Sequence, residues 1–251
     1  MNIITVTKEN LDLEHICCAI SNNNDIQVAS KKSWLAARFD DGLVFKKGDV
    51  RGKCFIEYIP AEKAWIPIDA AGYMYIDCLW VSGQFKGHGY SSLLLDECTN
   101  DSKAKGKQGI VVLSSSRKMS FLSDPSFFRH KSFVLADVAK PYFELLYLPF
   151  DKKAEKPKFC LAESVVSESR GLELYYTHQC PFTAKYVPII EKLARDKNLP
   201  FRSILIDSAE QAHTVPTPFT TYSLFWNGTF VTHEILSENK CIKLLKTLEY
   251  E

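Results

Sequence analysis

Bulky apolar residues recur along the chain at two spacings. Short continuous or alternating runs predict strands at Gly42 to Phe45, Arg51 to Ile59, Ala64 to Ile68, Gly72 to Val81, Gly109 to Ser114, Val134 to Val138 and Phe143 to Leu148. Leucines at 93, 94 and 95 place a helix over Ser91 to Asn100, and shorter helices are expected over Leu11 to Ile20 and from Trp34 to Phe39. Strands, a loop, a helix and more strands make a mixed α/β layer.

The pattern then breaks. Asp151 to Lys158 is charged and carries Pro157, the composition of a linker. We therefore expect a first domain over 1–150, a linker over 151–170 and a second domain over 171–251. The second reads as strand Leu172 to Tyr176, a loop through His178, a helix from Pro181 to Asp196 and strand Phe201 to Ile206. A turn follows, then strand Phe219 to Trp226, a hairpin turn at Asn227-Gly228, a return strand from Thr229 to Leu236 and a last helix from Ser237 to Glu249.

Composition narrows the function classes. With 46% hydrophobic residues the chain can build a core, and 31 Lys+Arg against 30 Asp+Glu leaves a net charge of +1, so no basic excess points to nucleic acid. No run approaches the roughly 18 apolar residues of a membrane helix. Met1 to Thr5 lacks the zones of a secretory signal, so a cytoplasmic protein that does not engage a membrane is expected. The eight cysteines, at 17, 18, 54, 78, 98, 160, 180 and 241, form no Cys-x-x-Cys pair and no metal spacing. They are expected to be reduced, and no metal is expected.

Two local motifs carry chemistry. Gln84-Phe85-Lys86-Gly87-His88-Gly89 lies between the longest strand and a helix. Its glycines allow a tight turn, and its amides with the helix N-terminus would suit a phosphate or pyrophosphate. It has neither the Gly-Lys-Ser/Thr of a Walker loop nor the third glycine of a dinucleotide fingerprint. The second motif is His178-Gln179-Cys180-Pro181-Phe182-Thr183. A cysteine at a helix start has its thiolate stabilised by the dipole, and His178 would add to this if protonated. Thr183 leaves the motif without a second cysteine, and His178 with Cys180 supplies only two of the three or four ligands a metal needs. Cys180 is thus a candidate thiol site or a helix cap.

The Gln-x-x-Gly-x-Gly motif, with Asp77-Cys78-Leu79-Trp80-Val81 before it and Asp124 to Phe133 after it, resembles the GNAT superfamily of acyl-CoA N-acetyltransferases over residues 1 to 150. The resemblance implies a mixed, largely antiparallel sheet and acetyl-CoA as cosubstrate. It implies that Gln84, Phe85, Lys86, Gly87, His88, Gly89 and Tyr90 hold the CoA pyrophosphate, and that the backbone of Leu79 and Val81 runs beside the pantetheine arm. The Val81 amide would polarise the thioester carbonyl. Asp77 stands where the family often carries a carboxylate base, with Tyr75 on the same face; pairing with a cation or capping a turn is the alternative for Asp77. Phe128 falls where many members have a tyrosine that protonates the leaving thiolate, and Ser132 where a glycine is common. Ser114, Ser115 and Ser116 line the acceptor pocket or satisfy loop backbone.

The tail's element order resembles a small thioredoxin-like α/β fold, with Cys180 near that fold's cysteines and Pro216 near its cis-proline, and the whole chain resembles acetyltransferases with a YoaP-like C-terminal domain. The resemblance implies direct acetyl transfer in a ternary complex to a small-molecule or peptide amine, and it leaves room for a homodimer. Two other classes stay open: a CoA- or peptide-binding sensor without turnover, and a thiol oxidoreductase using Cys180.

Overall fold

Seven strands form the main sheet, and their alternation sends side chains to two separate cores. They are β1 Ile3–Val6, β2 Val44–Gly48, β3 Cys54–Pro60, β5 Tyr73–Val81, β6 Gly109–Ser115, β7 Val134–Ala139 and β8 Phe143–Pro149, in the order β1-β2-β3-β5-β6-β8-β7. The computed structural model describes residues 1–16, 22, 24–161 and 170–248. Only β5 and β6 pair in parallel; every other neighbouring pair is antiparallel. Tyr73, Tyr75, Val111 and Leu113 face one core, whereas Met74, Ile76, Ile110 and Val112 face the other.

Helix α1, Ile26–Arg38, covers the first face, and α2, Tyr90–Ala104, with α3, Pro125–His130, covers the second. The apolar pattern suggested only the end of α1. Its buried positions, Gln27, Val28, Lys31, Trp34 and Leu35, recur at helical spacing, but two of them are polar and hide the stripe. Its start is fixed by Asp25, whose side chain accepts from the Gln27 amide at 2.8 Å. Residues 11 to 14 form a turn and a bend, and 15 and 16 are irregular, instead of a helix; the rest of the helix expected there, with Cys17 and Cys18, lies outside the described residues. Ala64 to Ile68 is irregular, save for a two-residue strand β4, Ile68–Asp69.

The charged stretch after residue 150 is not a free tether. Its strand β9, Lys158–Phe159, pairs with β4, and the Tyr73 hydroxyl donates to the Glu155 carbonyl at 2.7 Å. Beyond it, β10 Leu172–Tyr176, β11 Phe201–Leu205, β12 Tyr222–Trp226 and β13 Thr229–Thr232 make a second sheet, ordered β11-β10-β12-β13. β10 and β11 are parallel and the other pairs antiparallel. Asn227 and Gly228 both have positive φ, +48° and +76°, as the predicted tight turn requires. Helices α4, Pro181–Asp196, and α6, Glu238–Leu248, pack on this sheet.

A short helix α5, Ala209–Thr214, replaces the expected turn. Ser208 caps it, and Ala212 alone is buried, too little for an apolar pattern. The only cis peptide among the described residues is Lys140–Pro141, so the bond preceding Pro216 is trans, contrary to the expectation.

The two sheets are joined through buried contacts. Phe219 and Phe230 of the tail pack against the first core. His233, fully buried, bridges the two parts: Tyr142 Oη lies 2.6 Å from Nδ1, and Ser120 O lies 2.8 Å from Nε2. A carbonyl only accepts, so Nε2 carries the proton and Nδ1 accepts from the tyrosine. Burial keeps this imidazole's pKa below its usual value, in accord with that neutral form.

Candidate active site

The predicted glycine loop runs from a single 3-10 turn, Gly83–Phe85, to Gly89, which precedes α2. Gly87 and Gly89 have φ of +81° and +75°, and nothing lies within 4 Å of a Cβ built on either. Within the chain these glycines are therefore required by backbone conformation, which other residues adopt at a cost, and not by crowding. No side chain caps α2, so its first amides face outward without intrahelical partners. They open on a groove of about 650 Å³ lined by Val81, Lys86, Gly87, Tyr90 and Ser92 on one side and by the 118–128 segment on the other. Of the predicted set, Gln84 and His88 do not line it.

β5 supplies the second feature. It pairs with β6 only from Tyr73–Gly109 to Ile76–Val112, and the strands part beyond that point. On its other edge Ser82 donates to the Lys53 carbonyl. Antiparallel pairing alternates, so the amides of Leu79 and Val81 are directed to the edge that no strand covers. An extended ligand arm can pair there.

β5 also carries a bulge. Glu57 pairs with Cys78 and Tyr58 with Ile76, which leaves Asp77 as the extra residue. Asp77 and Cys78 consequently both reach one partly open cavity of about 130 Å³. Tyr75 stays in the core and does not line it, and burial, with the nearby Asp77 charge, pushes its hydroxyl pKa up.

Beneath the cavity Lys31 Nζ lies 2.5 Å from Glu57 Oε2, and Trp34 Nε1 donates to Glu57 Oε1 at 3.2 Å. Burial and the Glu57 charge hold the Asp77 carboxyl well above its usual range, with Lys31 and Arg38 opposing. Burial works against the Lys31 ammonium too, but the attraction of Glu57 outweighs it and raises the pKa. Sequence reasoning passed over both residues. Glu57, a lone carboxylate in Phe55-Ile56-Glu57-Tyr58-Ile59, was the available signal, since a buried charge needs a partner.

The tail walls one side of this cavity. Gln179, Cys180, Phe182, Phe219 and Thr221 line it opposite β3 and β5. Gln179 bridges the parts: its Nε2 donates to the Asp77 carbonyl at 3.2 Å, and its Oε1 accepts from Thr221 Oγ1 at 2.9 Å. Cavity and groove meet along Leu79, Trp80 and residues 121–123, which line both. At that junction Phe121 has φ +63°, rare for a bulky side chain and a mark of local strain.

The remaining candidates fall into place. Ser114 and Ser115 are buried and donate to the Ser123 and Arg117 carbonyls, at 2.7 and 2.6 Å, so they satisfy loop backbone. Ser132 has φ +66°, in the left-handed region that favours glycine. Phe128 packs between Phe127 and Phe133. Cys180 is the N-cap of α4, and Thr183 Oγ1 donates to the Thr177 and Cys180 carbonyls. Burial lowers the His178 pKa and so disfavours the protonated form that would add positive charge beside the thiol.

Comparison with known proteins follows this geometry. A family model described as YoaP-like matches residues 200–243. Across 99% of this chain and its own full length, a Bacillus subtilis (strain 168) protein named Uncharacterized N-acetyltransferase YoaP is 46% identical. Among solved structures, the YhbS GNAT family N-acetyltransferase of Escherichia coli, in complex with CoA, is 13% identical with a TM-score of 0.40, covering 63% of this chain and 88% of its own. The PaiA N-acetyltransferase of Thermoplasma acidophilum, in complex with coenzyme A, is 16% identical with a TM-score of 0.39, covering 60% and 100%. From its full-length relationship to the Bacillus protein, the chain belongs to the YoaP-type N-acetyltransferases.

Proposed function

We propose that the chain transfers an acetyl group from acetyl-CoA to a primary amine by direct attack, with the groove holding the cosubstrate and the cavity holding the amine. One observation carries this reading: the groove of the glycine loop and the cavity of Asp77 meet at the uncovered edge of β5. The pyrophosphate would sit on the amides of residues 87 to 92, with Lys86 adding charge, and the pantetheine arm would pair with Leu79 and Val81. The thioester carbonyl then receives the Val81 amide, where negative charge develops.

An ammonium cannot attack, so a base must take its proton. Asp77 has the elevated pKa such a base needs, and it lines the amine's cavity. The amine nitrogen bonds to the carbonyl carbon, its proton passes to Asp77, and the C–S bond breaks. Phe128 has no hydroxyl to give, so the CoA thiolate takes its proton from water in the open groove.

The chain's division near 150 and 170 belongs to the same proposal, with residues 171–248 read as thioredoxin-like on their β11-β10-β12-β13 order. Calorimetric titration with acetyl-CoA, followed by thiol-release assays over a panel of amines, tests the reading. Micromolar binding with turnover is expected. Failure to bind acetyl-CoA overturns it.

A further inference from the structure

The wall that the tail adds sets the size and charge of what can enter. The cavity of about 130 Å³ is close to the ~150 Å³ apolar cavity known to hold one benzene molecule. Its sides are mostly carbon: Phe55 and Leu79 from the sheet, Phe182 and Phe219 from the tail. Its floor carries Asp77. The wall is fastened, since Gln179 is bonded both to the Asp77 carbonyl and to Thr221.

Charge narrows the choice further. Two lysines line the cavity, Lys31 and Lys53. Lys31 is balanced by Glu57, whereas Lys53 has no carboxylate within ion-pair distance among the described residues. A second ammonium on the acceptor would therefore meet a like charge.

Resting on the acetyl-transfer reading, we infer that the acceptor is a small monoamine whose apolar body is about the size of one six-membered ring, and that the YoaP-like tail selects it. Phe182 is a specificity-determining residue in this inference, because its ring forms the tail side of the cavity at the first turn of α4.

The full chain would be assayed with benzylamine, cyclohexylmethylamine, spermidine and a tripeptide with a free N-terminus, with acetyl-CoA affinity measured alongside. The two ring amines should show kcat/KM about 10–100-fold above the others, the range a shaped apolar pocket gives. Phe182→Ala should shift the benzylamine to 1-naphthylmethylamine ratio of kcat/KM toward the larger amine by about tenfold. That ratio comes from one preparation, so a reduced folded fraction cancels, and the wild-type panel needs no variant. Preference for spermidine or the peptide overturns the inference and leaves acetyl transfer standing. Acetyl-CoA binding without turnover of any of the four amines overturns it as well. Absence of acetyl-CoA binding overturns the underlying reading.

Discussion

The groove and the cavity are neighbours built in opposite ways. The groove comes from two local stretches, residues 79–92 (the end of strand β5, the glycine loop and the start of α2) and residues 118–128, and the first exposes backbone amides. The cavity is assembled from side chains far apart in sequence: Gln179 and Asp77, which it unites, are 102 positions apart. A backbone site suits a ligand common to many enzymes, because it depends on chain conformation more than on residue identity. A side-chain site walled on one side by a second sheet can be reshaped without disturbing the first. The difference suggests that the cosubstrate and acceptor halves can be damaged independently.

The largest separation is expected for Asp77→Asn. It should lower kcat by about 10²–10⁴-fold, the usual contribution of a positioned base, with acetyl-CoA affinity unchanged. Wild-type kcat/KM should rise with pH as Asp77 loses its proton, well above the usual carboxylate range, and the asparagine variant should lack that limb. Stability should respond in the opposite sense. A carboxyl with a raised native pKa binds its proton more tightly folded than unfolded. Folding stability therefore falls as pH climbs from the ordinary value of 3.8 toward the raised one. The variant should melt higher than the wild type at neutral pH, and the gap should close in acid. A variant that keeps full kcat would remove Asp77 from the chemistry.

Gly89→Glu attacks the other half. A side chain at φ +75° costs about 1–3 kcal/mol, and the carboxylate adds repulsion for an anionic ligand. Acetyl-CoA should bind roughly 100-fold more weakly by calorimetry. Unchanged affinity would separate the groove from the cosubstrate.

The same contrast explains what could be read in advance. Strand β5, the loop and the start of α4 at Pro181 were legible because each is set by adjacent residues: an apolar run, two glycines, a proline at a helix start. The bulge at Asp77 was not. It exists through pairing with β3, some twenty residues earlier, and it makes two consecutive side chains share a face that simple alternation would divide. Lys31 was hidden because a buried cation breaks the stripe by which α1 would be found, and its partner Glu57 lies on another element. The tail's wall was unreadable for the same reason: Phe182, Phe219 and Thr221 look like ordinary core residues until two sheets are brought together.

Gln179→Ala probes the fastening between the halves. It removes one hydrogen bond to Asp77 O and one from Thr221, worth about 1–2 kcal/mol together. The amine KM should rise roughly tenfold while acetyl-CoA affinity stays put. Equal loss in both would mean that the cavity wall and the groove move together.

The smallest effect is expected for Cys180→Ser, and its smallness is informative. Cys180 precedes Pro181 at the start of α4, where the helix dipole favours a thiolate. Two features argue against chemistry there. Burial disfavours the protonated form of His178, and Thr183, where a second cysteine would resolve a disulfide, spends its hydroxyl on the Thr177 and Cys180 carbonyls. Serine is a good helix N-cap, so α4 should not weaken. Acetyl transfer should change by no more than about threefold, the scale of a few tenths of a kcal/mol in cap and cavity contacts. Mass measurement of the intact protein mixed with acetyl-CoA alone should show no acetyl group on it. A 100-fold loss in the serine variant, together with an acetylated wild-type protein, would instead make Cys180 a carrier between thioester and amine. The tail would then belong to the chemistry as well as to the wall.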